Sequence, residues 1–128
     1  MREPPPEADA LAFQAIGAAI EVHRTLGPGF LESAYEAALD VELASRRIPF
    51  ERQKSVPLVY KDRHVADHRL DFVVGDLVVI ELKAVDVIAP IHMAQVIAYL
   101  AATRLPIGLL INFRVPLLKH GIHRIVRS

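Results

Sequence analysis

The chain has 128 residues, of which 52% are hydrophobic, enough for one domain built on one core. Lys plus Arg equal Asp plus Glu at 15 each, so net charge gives no sign of nucleic-acid binding, and any such binding must rest on a local basic patch. The absence of cysteine excludes disulfides, thiolate zinc sites and a cysteine nucleophile.

Residues 1–7 carry Pro4-Pro5-Pro6 and are expected to form an extended or disordered tail, which leaves 8–128 as the folded domain. This acidic, proline-rich start does not resemble a secretory leader. With the lack of cysteine, it sets a cytoplasmic expectation. No apolar run is long enough to span a membrane. A first helix is expected from Ala8 to Leu26, with Asp9 as a candidate N-cap and Leu11, Ile16, Ala19, Ile20, His23 and Leu26 on one stripe. Gly27-Pro28-Gly29 should end it sharply. A second helix from about Phe30 to Arg46 would bury Leu31, Ala34, Tyr35, Ala38 and Leu39. Glu32 falls in its first turn, where the helix dipole favours a carboxylate whatever else that residue does. The first helix is apolar nearly all round, through Ala12, Phe13, Ile16, Ala18, Ala19 and Ile20, which suggests a homodimer.

Short strands are expected over Ile48–Ser55 and Val56–Tyr60, then a polar turn at Lys61-Asp62-Arg63 and a strand from His64 to Val74. The stretch from Leu70 to Lys83 reads as a hairpin of Val, Ile, Leu and Phe broken by Asp71, Glu81 and Lys83. Buried strands gain nothing from such charges unless they are solvated, paired or bound to a metal. Alternation puts Leu70, Phe72 and Val74 on one face, and Val78, Ile80 and Leu82 on one face of the next strand. A two-residue turn at Gly75-Asp76 would pair Val74 with Leu77 and split Asp71 from Glu81. A three-residue loop or a bulge joins the apolar sets and sets Asp71 across from Glu81, and Gly75 suits the positive φ such a loop needs. Paired carboxylates repel unless a proton or a cation lies between them, and Mg²⁺ or Mn²⁺ is the cation such oxygen ligands suit. Lys83, on the same side as Glu81, is placed to hold a phosphate or an attacking water. The alternative is an exposed strand face with an incidental Glu–Lys pair.

A third helix is expected from Pro90 to Thr103, with Ile91, Ala94, Val96, Ile97, Leu100 and Ala101 on its buried side. His92, Gln95 and Tyr99 share another stripe, which a solvated helix edge also explains. Ile107–Phe113 reads as a core strand and Gly121–Val126 as a last one. His120 and His123 have metal-ligand spacing, but no third ligand accompanies them. A helix between core strands implies a crossover and a mixed sheet, of α/β or α+β class.

Together, Asp71, the run Glu81-Leu82-Lys83 and a helix bearing Gln95 and Tyr99 resemble the PD-(D/E)XK nuclease superfamily. Gly29-Phe30-Leu31-Glu32-Ser33-Ala34-Tyr35, with His23 and Gly27 just upstream, resembles the signature of its GxxExxY family. Leu70 stands where the nominal proline of the motif would be. The resemblance implies a restriction-endonuclease-like core, a central mixed sheet of about four strands flanked by helices, here with an extra N-terminal helix. It implies Mg²⁺-dependent cleavage of nucleic acid, DNA foremost. It assigns Asp71, Glu81 and Glu32 to the metal together with the Leu82 carbonyl, Lys83 to water and phosphate, and Gln95, Tyr99 and Tyr35 to the substrate. A catalytically silent nuclease fold that binds nucleic acid or a protein is the second reading, and a metal-dependent phosphohydrolase of nucleotides a third.

Overall fold

The computed structural model describes residues 3–128. Met1 and Arg2 of the expected tail lie outside the described residues, and Pro6 and Glu7 already belong to a helix. Helix α1 spans Pro6–Leu26, α2 spans Glu32–Ser45 and α3 spans Pro90–Thr103. Proline at the first helical position starts α1, where its missing N–H costs nothing. Asp9 is therefore not the cap; it lies in the first turn and pairs with Arg124. Gly27, at φ 75, ends the helix.

Five strands form one mixed sheet in the order β1-β2-β3-β4-β5: Phe50–Tyr60, Arg63–Val74, Val78–Lys83, Ile107–Asn112 and Ile122–Val126. The two short strands expected over Ile48–Ser55 and Val56–Tyr60 are a single strand, β1. Strand β1 is continuous through Pro57, which an edge strand tolerates because one side of its backbone needs no partner. Strand β4 runs parallel to β3, with α3 as the crossover, and the other neighbours are antiparallel.

The larger core lies between one sheet face and the first two helices. Phe72, Val74, Val78, Ile80, Leu82, Leu109 and Ile111 pack there with Tyr35 and Leu39 of α2 and with an alanine-rich stripe of α1. That stripe is Ala8, Ala12, Ala15, Ala18, Ala19, Val22 and His23; of the residues expected, Ala19 and His23 lie in it, Leu11, Ile16 and Leu26 pack partly buried against the same core, and Ile20 is exposed. Small side chains let α1 come close to its neighbours, and close approach buries alanine fully. In α2 the buried residues are Tyr35, Leu39 and Leu43, and Leu31 is exposed.

Helix α3 covers the other face alone. Gly108 makes its approach possible: a Cβ there would meet Val96 Cγ1 at 2.5 Å. Val96 and Leu100 are buried against the sheet, but Ile91, Ala94, Ile97 and Ala101 are exposed, contrary to the expected stripe. Gln95 and Tyr99 are half-buried instead. The helix is turned so that Val96 and Leu100 meet the sheet, Gln95 and Tyr99 flank them, and the isoleucines face solvent.

Candidate active site

The hairpin loop has three residues. Phe72 pairs with Ile80, Val73 with Val79 and Val74 with Val78, and the Leu77 N–H closes the loop onto the Val74 carbonyl. Gly75 and Asp76 take positive φ values of 56 and 55. The next rung of that register brings Asp71 to Glu81, as the parity argument requires. No further backbone rung forms between these strands after Phe72–Ile80. There the Asp71 side chain enters the sheet, and its Oδ2 accepts the Leu82 N–H at 2.8 Å. A carboxylate thus replaces a backbone carbonyl where the two strands part.

The alternation of the strand breaks where it parts. Leu70 packs with Val56, Val73, Val79 and Leu100 on the α3 side, not with Phe72 and Val74 as strict alternation predicts. Opposite that break, β1 carries Gln53 in the left-handed region at φ 55. The β1–β2 register passes over it, from Arg52–Phe72 to Lys54–Leu70.

Glu81 is 8% exposed. Burial pushes its carboxyl up to about 8, reinforced by the neighbouring charge of Asp71 and a hydrogen bond with it, and Lys83 opposes the shift. Lys83 Nζ lies 3.6 Å from Glu81 Oε2. Glu81 Oε1 is buried without a hydrogen-bond partner, as is Gln95 Oε1. Native folds rarely leave such acceptors unpaired. Tyr99 also faces this place: burial raises its hydroxyl pKa, and the charges of Glu81 and Asp71 add to the effect. Its ring lies 6.0 Å from that of His68.

Glu32 looks toward the hairpin from the start of α2. Burial raises its pKa, Lys83 pulls it down, and Asp71 and Glu36 push it up. Among the described residues, no three His, Cys, Asp or Glu side chains converge closely enough to hold a metal ion. Asp71 and Glu81 therefore form a two-carboxylate set, with Glu32 within electrostatic reach of Asp71 but outside a three-residue cluster. His120 and His123 likewise belong to no such cluster. A two-carboxylate set still fits a Mg²⁺-like ion, which takes one or two carboxylates and leaves its other positions to water and phosphate. The unpartnered Glu81 oxygen is the observation that makes the fit specific.

Tyr35 is not where a substrate contact would be. It is fully buried and stacks on Phe113 with ring centroids 4.4 Å apart. Its hydroxyl donates to the Gly27 carbonyl and accepts the Phe30 N–H. It ties the 27–30 loop to α2 and so sets where α2 begins and where Glu32 stands.

Two residues at the site carried no local signal. Gln53 donates from Nε2 to Asp71 Oδ1 at 3.3 Å and to Glu36 Oε1 at 2.9 Å. Asn112, 3% exposed, holds the chain just after Lys83: its Oδ1 accepts the Val85 N–H and its Nδ2 donates to the Val85 carbonyl. Only the β1–β2 and β3–β4 pairings bring them there.

The sheet thus forks at Asp71 and carries the Glu81-Leu82-Lys83 run beside it, with α3 as the crossover helix. The chain belongs to the PD-(D/E)XK nuclease superfamily, whose family model matches residues 9–125. The comparisons found no match among curated proteins and none among solved structures. Among the described residues, no helix is long and apolar enough to cross a membrane.

Proposed function

We propose that the chain is a Mg²⁺-dependent nuclease of the GxxExxY type that hydrolyses phosphodiester bonds in DNA, with Mn²⁺ able to replace Mg²⁺. One observation carries this reading: Glu81, buried beside Asp71 and Lys83, keeps an oxygen that no protein group satisfies. Asp71 and Glu81 would hold the ion together with the Leu82 carbonyl, and Glu32, outside that set, would add its charge from the start of α2. A bound cation would supply positive charge that eases ionisation of the attacking water and offsets charge building on the phosphate. Lys83 holds the phosphate and orients that water. Gln95 and Tyr99 contact the substrate strand from α3. A cytoplasmic homodimer completes the proposal, supported by the exposed Phe13 and Ile20 of α1.

The test is cleavage of linear, circular, single-stranded and branched DNA with Mg²⁺, Mn²⁺ or chelator, beside calorimetric titration of the ion. Cleavage that needs the ion and is lost in Lys83→Ala supports the proposal. Tight ion binding with no cleavage of any DNA would move the silent, nucleic-acid-binding reading ahead of it. Light scattering reports the dimer, and a monomer at high concentration removes that part.

A further inference from the structure

Gln53 combines two features that seldom meet by accident. Its backbone is left-handed, at φ 55, although it is neither glycine nor asparagine. Its side chain is half-buried and bridges two carboxylates, Glu36 Oε1 at 2.9 Å and Asp71 Oδ1 at 3.3 Å. A side-chain amide nitrogen has two protons, and here each has its own carboxylate. Backbone strain at a non-glycine residue persists only when the surroundings over-determine it. Here those surroundings are the two carboxylates.

The bridge is part of a longer chain of bonds. Glu36 Oε2 accepts from Arg52 Nε at 2.7 Å, and Arg52 Nη1 reaches Asp40 Oδ2 at 3.1 Å. On the other side, Asp71 Oδ2 accepts the Leu82 N–H at 2.8 Å. Asp71 is therefore held at both oxygens by neutral N–H donors, one from β1 and one from β3. The choice of donor matters chemically. A lysine at this position would neutralise Asp71 and compete with a cation. A glutamate would add repulsion. An amide orients the carboxylate and leaves its full charge for a ligand.

We infer that Gln53 is the positioning residue for Asp71: its strained backbone aims the amide that fixes the carboxylate opposite Glu81, and through Glu36 it ties that carboxylate to α2. The inference rests on the reading of Asp71 as a cation ligand, but the positioning itself has a readout that needs no cation. Partners that orient a metal ligand typically change metal affinity about 10- to 100-fold when removed.

The experiment compares wild type with Gln53→Gly and Gln53→Met. Glycine accepts the positive φ, so that variant keeps the fold and should melt no lower than wild type. Methionine keeps the length of the side chain without its donors. Calorimetric Mn²⁺ titration should show about 10-fold weaker binding or worse in both variants. Amide hydrogen exchange in chelator should show faster exchange at Leu82, whose N–H depends on the Asp71 side chain, with Ile80 unchanged. Wild-type exchange at Leu82 in both variants overturns the inference, as does wild-type Mn²⁺ affinity in both. If wild type binds no Mn²⁺ but Leu82 exchange quickens in the variants, Gln53 positions Asp71 and the cation reading of the site is what fails.

Discussion

The two ends of the β2–β3 hairpin share one alternation and differ in everything else. At the turn end, Phe72, Val73, Val74, Val78, Val79 and Ile80 form a closed ladder, apolar on both faces and covered by helices on both. At the other end the ladder opens, a carboxylate takes a backbone hydrogen bond, and Glu81 lies buried with an unsatisfied oxygen. The closed end supplies rigidity through burial and complete pairing. The open end uses that rigidity to hold Glu81 buried beside Asp71, where the neighbouring charge and burial both disfavour its ionised form. The lesson is that such a site is built where regular pairing stops, within one rung of the place where it is most complete.

Substitutions at the two ends should separate stability from chemistry. Phe72→Ala, at a fully buried position against Phe50, should cost about 3–5 kcal/mol of folding free energy. Denaturant unfolding measures this, and a loss below about 1 kcal/mol would mean that the closed end is not the rigid base described. Lys83→Ala should do the reverse. It should slow DNA cleavage by about 10²- to 10³-fold, the scale of losing one group that stabilises transition-state charge, while calorimetric Mg²⁺ affinity stays near wild type. Asp71→Ala or Glu81→Ala should weaken ion binding, because on the proposed reading each removes an anionic ligand. Wild-type ion binding by Glu81→Ala would remove the open end from consideration as a metal site.

The protonation of Glu81 gives a pH signature. Its carboxyl titrates near 8 in the fold against an ordinary 4.5. The folded state thus holds the proton more tightly than the unfolded state. The stabilisation is fully present below about 4.5 and is lost as pH rises toward 8. Thermal melts in chelator should show cation-free wild type losing stability across this window and Glu81→Gln losing much less. Saturating Mg²⁺ should flatten the wild-type profile, since the ion stabilises the ionised pair. Parallel profiles for wild type and Glu81→Gln in chelator would refute this account of the buried carboxyl.

The smallest effect belongs to Tyr35→Phe. The change leaves the Gly27 carbonyl and the Phe30 N–H without their shared partner, at a cost of about 1–2 kcal/mol. KM for DNA should stay near wild type, because the buried hydroxyl does not reach a substrate. A many-fold rise in KM with unchanged stability would restore Tyr35 to the binding surface.

Period two and the parity of a loop sufficed to place Asp71 opposite Glu81. Those rules are local: a strand alternates wherever it lies, and an apolar set on each strand permits only an odd-length loop. The bounds of α3 were legible for a similar reason, since Pro90 and Pro106 bracket it. Its rotation was not. Isoleucines at 91 and 97 are apolar enough for a core, yet the close approach at Gly108 sets Val96 against the sheet, which leaves those isoleucines in solvent and turns Gln95 and Tyr99 inward. Tyr35 had the spacing of a motif and no sign of being enclosed. Gln53 had no signal at all, because its role depends on a β1 backbone held left-handed by carboxylates from β2 and α2. Alternation and turn length act between neighbours in the chain. Burial, helix rotation and the aim of a side chain depend on what distant segments leave room for, and that was decided only when sheet and helices packed together.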